Sequence, residues 1–166
     1  MGWSSLEEFI RALEIRGELL RVGHPVDVRF EAGCIADRLV KRGGPAVVFD
    51  QPRLEDGSIS RFPLAMNLFG TRDRTNLALG VDEPSEIGEM MVGLMKPDIG
   101  GILRRPWTGI KLLRQGISMA PKRVSRGKCQ QVRIDDPDVT KLPIPVTWPD
   151  DGGPFMTLPL VVTADP

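Results

Sequence analysis

Few side chains in this 166-residue chain could do chemistry by themselves, and those that could are scattered. His24 is the sole histidine, and it precedes Pro25 at the end of a short apolar run. Acid–base or nucleophilic catalysis needs a base, a nucleophile and an orienting group within hydrogen-bond reach of one another. No spacing here suggests such a set, so His24 reads as a structural or surface residue. Cys34 and Cys129 form neither a Cys-x-x-Cys pair nor a zinc-ligand spacing, and with one histidine no metal site made of protein ligands alone is expected. Asp150-Asp151 offer two adjacent carboxylates, the hard oxygen ligands that a divalent cation takes. On a loop rich in Gly and Pro such a pair more often faces water, and that reading is preferred. Gly43-Gly44 and Gly100-Gly101 lack the strand, the Gly-x-Gly-x-x-Gly and the helix of a dinucleotide loop, and no Walker sequence occurs. Phosphate cradles of those two kinds are excluded.

Charge is local rather than global. Formal net charge is zero, yet nine Lys and Arg residues fall between positions 104 and 133, with no Asp or Glu from 99 to 134. A solvated basic face is the plain reading of this stretch, and a surface facing an anion or a partner is the sharper one. Nucleic acid is disfavoured, because Trp107 is the sole aromatic ring among these cations and a single-strand binder stacks bases on several. The most shaped stretch is residues 142–157, where prolines at 143, 145, 149 and 154 fix φ and remove backbone donors. Neither a helix nor a central strand can run through it. Gly152 and Gly153 supply the opposite freedom, so the segment is built to hold an unusual path and then to enter an apolar strand at 157–163.

These residues need a scaffold, and composition says that one can form. The hydrophobic fraction of 41% and the charged fraction of 27% are those of a globular protein, while Gly 18 and Pro 15 require many irregular segments. No apolar run approaches the ~18 residues that span a bilayer, and no charged n-region precedes an apolar h-region. Leu6 stands where a myristoylation pattern needs Ser or Thr. A reducing, cytoplasmic setting is expected.

Ser4 or Ser5 with Glu7 or Glu8 makes a capping box, and Leu6, Phe9, Ile10 and Leu13 then recur at helical spacing, which predicts a helix to about Arg16 closed by Gly17. Residues 18–22 read as a strand with Leu19 and Leu20 partly buried, broken at His24-Pro25. A second helix is predicted over 30–42 with Ile35, Ala36, Leu39 and Val40 inward, ended by Gly43-Gly44. Ala46-Val47-Val48-Phe49 is a buried strand, 53–61 a polar surface excursion, and 62–68 a second apolar run. Thr71 or Asp73 caps a helix through Leu79. Pro84 opens another over 84–96, with Ile87, Met90, Met91, Leu94 and Met95 as its core face. A helix over 107–114, a strand over 128–134 and a turn at 135–138 complete the pattern. The fold class is mixed α/β (α+β), with an N-terminal domain at 1–125 and a β-rich unit beginning at 126–166.

In order, several short pieces resemble one family. They are Gly17-Glu18-Leu19, Pro25-Val26-Asp27, Ala36-Asp37-Arg38, Gly43-Gly44-Pro45-Ala46, Asn67-Leu68-Phe69-Gly70-Thr71, Cys129-Gln130-Gln131, and Asp138-Val139 leading to Leu142-Pro143-Ile144 and Trp148-Pro149-x-Asp151-Gly152-Gly153. The series is similar to the N-terminal third of UbiD-family decarboxylases. The resemblance implies a reversible non-oxidative decarboxylation of an aromatic or α,β-unsaturated acid, such as a 4-hydroxybenzoate-type acid. It implies prenylated FMN supplied by a flavin prenyltransferase, Mn²⁺ or Mg²⁺, and K⁺. It also implies a homo-oligomer, with residues 126–166 starting a flavin-binding split β-barrel. Of the family's cofactor-proximal positions only Thr157 has a counterpart here, and it is followed by Leu158-Pro159 where the family reads Thr-x-Gly. The family's metal ligands and Glu-Arg-Glu network lie beyond Thr163, so no catalytic or metal-binding residue is assigned to this chain. Two expectations follow: an N-terminal piece of such an enzyme, inactive alone, or a stand-alone non-catalytic subunit beside a catalytic partner.

Overall fold

The computed structural model describes residues 3–95, 110, 114, 117, 124, 125, 127 and 130–157, apart from the side chains of residues 90, 93 and 94. Two units are formed, one from the described residues of 1–79 and 137–166 and one from those of 80–136.

In the first unit, helix α1 (Leu6–Ile15) starts because the Ser5 side chain accepts the Glu8 N–H at 3.2 Å. The Glu8 carboxylate does not return to Ser5 as a reciprocal box would have it; it takes the Ser4 N–H and hydroxyl at 2.8 and 2.6 Å. Phe9 and Leu13 are the buried face of α1, packed with Ala46, Leu19, Leu68 and Trp3. Leu6, at 57% exposure, lies outside that face. After Gly17 (φ +70) come β1 (Leu19–Val22) and a two-residue strand β2 (Val26–Asp27), then α2 (Glu31–Lys41) and β3 (Ala46–Phe49). β3 is buried at all four positions and is the centre of a three-stranded sheet, parallel to β1 and antiparallel to β5 (Leu64–Met66). A run with no polar residue suits a strand covered on both faces, and each fully buried Val or Phe there contributes about 1.5–3 kcal/mol. β2 pairs in parallel with β4 (Pro52–Arg53), and Val26 of β2, Ala32 of α2 and Val47 and Phe49 of β3 form one core cluster. Helix α3 (Arg72–Leu79) begins where the Thr71 hydroxyl accepts the Arg74 N–H at 3.3 Å.

The second unit carries α4 (Ser85–Met95), whose Glu86 carboxylate accepts the N–H groups of Asp82 and Glu83 at 3.1 and 2.9 Å.

Several expectations need correction. Val40 is 48% exposed, because α2 turns only Ala32, Ala36 and their neighbours to the sheet. Residues 53–61 are no pure surface excursion: Leu54 and Ser60 are buried, since Pro52 and Arg53 are tied to β2 and the turn closes back through Arg53–Ile59. Leu20 is exposed because β1 is a sheet edge. The core face expected on α4 is not a buried stripe, for Met91 and Met95 are 49% and 77% exposed. Residues 130–134 are not a strand; Gln130 sits in a turn, its N–H on the Gly127 carbonyl at 3.0 Å and its side chain accepting the Gly127 N–H at 2.9 Å. Of the helix expected over 107–114 only Ile110 and Arg114 are described, and both are helical. The strand expected over 157–163 lies outside the described residues save Thr157.

Candidate functional site

The proline-rich segment is held by backbone rather than by a sheet. Asp138 caps a short 3₁₀ turn (Val139–Lys141), and the Lys141 ammonium reaches Asp56 at 2.7 Å. That hydrogen bond, followed by those from Ser58, holds the Asp56 carboxyl well below the usual carboxylate range. Val146, 4% exposed, makes one parallel bridge to Arg29: it donates to the Val28 carbonyl at 3.2 Å and accepts the Phe30 N–H at 2.8 Å. Phe30 takes φ 67 and ψ −41, and the Glu31 N–H returns to the Arg29 carbonyl at 2.8 Å, a γ-turn that side chains rarely adopt. Strain of this kind persists only where the surroundings enforce it. Here the bridge to Val146 does so, and the Arg29 guanidinium lies 5.1 Å from the centre of the Phe30 ring. Gly33 packs closely beside it, since a Cβ there would come within 3.0 Å of the Thr147 methyl and 3.1 Å of the Thr147 Cα and would push that residue away.

Asp151 organises the next turn: its Oδ2 accepts the N–H groups of Thr147 and Trp148 at 3.1 and 2.9 Å. The Phe155 N–H then donates to the Pro145 carbonyl at 3.0 Å. The acid pair therefore splits, with Asp151 spent on the loop backbone and Asp150 exposed. His24 and Cys34 are also exposed, on different elements. Cys129 lies outside the described residues. Among the described residues no group of three or more His, Cys, Asp or Glu could hold a metal ion.

Thr157 is exposed and stands at a groove of about 600 Å³ between β5, the turn after it and the loop. Among the described residues lining this groove no side chain is charged; the polar groups they offer are those of Asn67 and Thr157 and the backbone. The prenylated flavin and metal ions that the resemblance implies would call for cations beside the phosphate and oxygen or imidazole ligands for the metal. The described lining of the groove does not fit that end of the cofactor.

Asn67-Leu-Phe-Gly-Thr proves to be a structural strut. Arg74, at 2% exposure the largest fully buried side chain among the described residues, pairs with Glu18 at 2.8 Å and donates to the Gly44 carbonyl at 3.0 Å. Asn67, at φ 57, donates to the carbonyls of Gly44 and Pro45 at 3.3 and 2.9 Å. A Cβ built on Gly70 would overlap the Asn67 Oδ1. Sequence reasoning named the Asn and the Gly but missed Arg74 and Phe30. Arg74 has a faint signal, a cation one turn after a capping Thr; the turn at Phe30 has none.

Residues 10–91 match the model of the 3-octaprenyl-4-hydroxybenzoate carboxy-lyase N-terminal domain. Residues 122–166 match that of the Rift-related domain of the same carboxy-lyase. Among solved structures, the vanillic acid decarboxylase of Sedimentibacter hydroxybenzoicus in open form is similar at 22% identity and a TM-score of 0.47, over 58% of this chain and 21% of that one. No helix among the described residues is long and apolar enough to cross a membrane. The two carboxy-lyase models follow one another in order along the sequence and together take in about three-quarters of it, so the chain belongs to the UbiD family.

Proposed function

We propose that this chain is the N-terminal part of a UbiD-type enzyme that decarboxylates an aromatic or α,β-unsaturated acid, reversibly and without net oxidation. A 4-hydroxybenzoate-type acid is the first substrate to try. The observation that carries this reading is the ordered pair of carboxy-lyase matches at 10–91 and 122–166. Loss of carbon dioxide from such an acid leaves an electron pair that needs a sink, and a prenylated flavin supplies one when bound. On this reading residues 1–125 are the N-terminal α/β domain and 126–166 open a split β-barrel, with Thr157 the residue of this chain next to the cofactor. The ligands for Mn²⁺ or Mg²⁺ and K⁺ come from sequence beyond this chain. The whole enzyme is a cytoplasmic homo-oligomer served by a flavin prenyltransferase.

The 166 residues alone are inactive, a reading supported by the described surroundings of Thr157, which include no charged side chain in the groove. The test incubates the chain with prenylated FMN, Mn²⁺ and K⁺, desalts it, and records the absorption spectrum and carbon dioxide release from a panel of aromatic and unsaturated acids. Neither a flavin band nor carbon dioxide is expected, and either one overturns the inactivity. A longer protein containing this chain that binds the cofactor yet decarboxylates none of the acids would overturn the enzymatic reading itself.

A further inference from the structure

Two Asp-Gly steps occur in this chain, Asp56-Gly57 and Asp151-Gly152, and the fold treats them differently. At such a step the glycine amide nitrogen can attack the carboxyl carbon of the preceding side chain and close a five-membered imide. Glycine favours closure because it has no Cβ to crowd the ring and turns freely in φ and ψ.

The first step is tied down. The Gly57 N–H donates to the Leu54 carbonyl at 2.9 Å. The Asp56 carboxylate accepts the Lys141 ammonium at 2.7 Å, the Ser58 N–H at 2.9 Å and the Ser58 hydroxyl. Lys141 favours its ionised form, and a carboxylate is a poorer electrophile than a carboxylic acid. The second step is open. The Gly152 N–H has no hydrogen-bond partner among the described residues, and Asp151 and Gly152 are both exposed. A Cβ built on Gly152 would meet no described atom within 4 Å. Asp151 is held through Oδ2 alone, by the Thr147 and Trp148 N–H groups, so Oδ1 is the oxygen free to leave.

We propose that Asp151-Gly152 is a site of spontaneous isoaspartate formation and that Asp56-Gly57 is protected from it. From the protonated carboxyl, the Gly152 nitrogen bonds to Asp151 Cγ as the bond from Cγ to Oδ1 breaks, and the amide proton leaves with that hydroxyl as water. Water then reopens the imide at the α-carbonyl carbon, so that Gly152 is linked through the side chain and a new α-carboxylate is released. The net change is an isomerisation with no gain or loss of electrons. The product carries an extra methylene in its backbone and has lost the side-chain carboxylate that capped the Thr147 and Trp148 amides. This inference does not rest on the decarboxylase reading.

The test incubates the folded 166-residue chain in mildly acidic buffer and quantifies isoaspartate at both steps by peptide mapping with electron-transfer fragmentation, which distinguishes the two linkages. Conversion at Asp151 should run about fivefold or more faster than at Asp56, the factor that one hydrogen bond at the Gly57 amide represents. In urea, where neither set of contacts survives, the two rates should converge. Gly152→Ala, which the open space admits, should slow conversion at Asp151 several-fold. The converted chain should exchange its Thr147 and Trp148 amide hydrogens faster than the unconverted one. Equal rates in the folded chain, a faster rate at Asp56, a ratio unchanged by urea, or no slowing in Gly152→Ala overturns the proposal. Unaltered exchange at Thr147 and Trp148 after conversion overturns its consequence for the loop.

Discussion

Removing the exposed partner of the Arg74–Glu18 pair should cost more than removing the buried one. The guanidinium is 2% exposed and the Glu18 side chain 42% exposed, at 2.8 Å. Arg74→Met keeps most of the apolar stem, lets Glu18 return to water, and leaves the Gly44 carbonyl its second donor from Asn67 at 3.3 Å. What is lost is one charge-assisted hydrogen bond and a well-solvated half of an ion pair, about 1–2 kcal/mol. Glu18→Ala instead strands a buried cation with one neutral carbonyl, and uncompensated buried charges cost about 3–5 kcal/mol; the Gly44 contact places the expectation at the lower end, about 3 kcal/mol. Urea unfolding followed by circular dichroism gives both values, provided that the dependence on denaturant is unchanged. The double variant should be more stable than Glu18→Ala alone, because the stranded charge is gone. If Glu18→Ala proves no more costly than Arg74→Met, the guanidinium is not desolvated as described and the reasoning fails.

Gly70→Ala should destabilise by about 2 kcal/mol or more, since the added methyl displaces the Asn67 amide from its two carbonyls; a change under about 0.5 kcal/mol in the same urea assay would show that the turn yields freely. Asp151→Ala should cost about 1 kcal/mol and speed hydrogen exchange at the Thr147 and Trp148 amides, and unchanged exchange there would refute its role in shaping the loop. The folded pKa of Asp56 is held below the ordinary value of about 3.9, so its contribution is present above that value and is lost as pH falls through the lowered one. Asp56→Asn should therefore flatten the decline in urea midpoint below about pH 4, by a small amount because the pair is exposed, and parallel acid slopes would refute it.

Local signals were legible where local physics dominates. The Ser5 cap, the Gly17 stop and the wholly apolar Ala46–Phe49 strand follow from side-chain chemistry within a few residues, and the structure has each of them. The alternation that suggested a strand at 128–134 failed because period-2 patterning stabilises a strand only with a neighbour to pair with, and residues 130–134 have none among the described residues. β2 and β4 were missed for the converse reason: two residues carry no period, and they are strands only because Val26 finds Pro52 and Asp27 finds Arg53. Pro52 can pair there because it sits on a strand with one neighbour, where its missing donor costs nothing.

By itself the sequence determined the rigid path of residues 142–157, since ring closure in proline restricts the chain wherever it is placed. It also determined the family, through short pieces whose order survives without any contact being known. Tertiary structure alone decided what those pieces do. Asn67 and Gly70 became a strut because Arg74 and the Gly44 carbonyl arrive beside them, and Asp151 became the cap of the loop turn at Thr147 and Trp148. The loop itself leans on a strained turn at Phe30 that no residue type announces. Each is a long-range pairing of donors and acceptors, and its energy depends on distances that the order of residues does not contain.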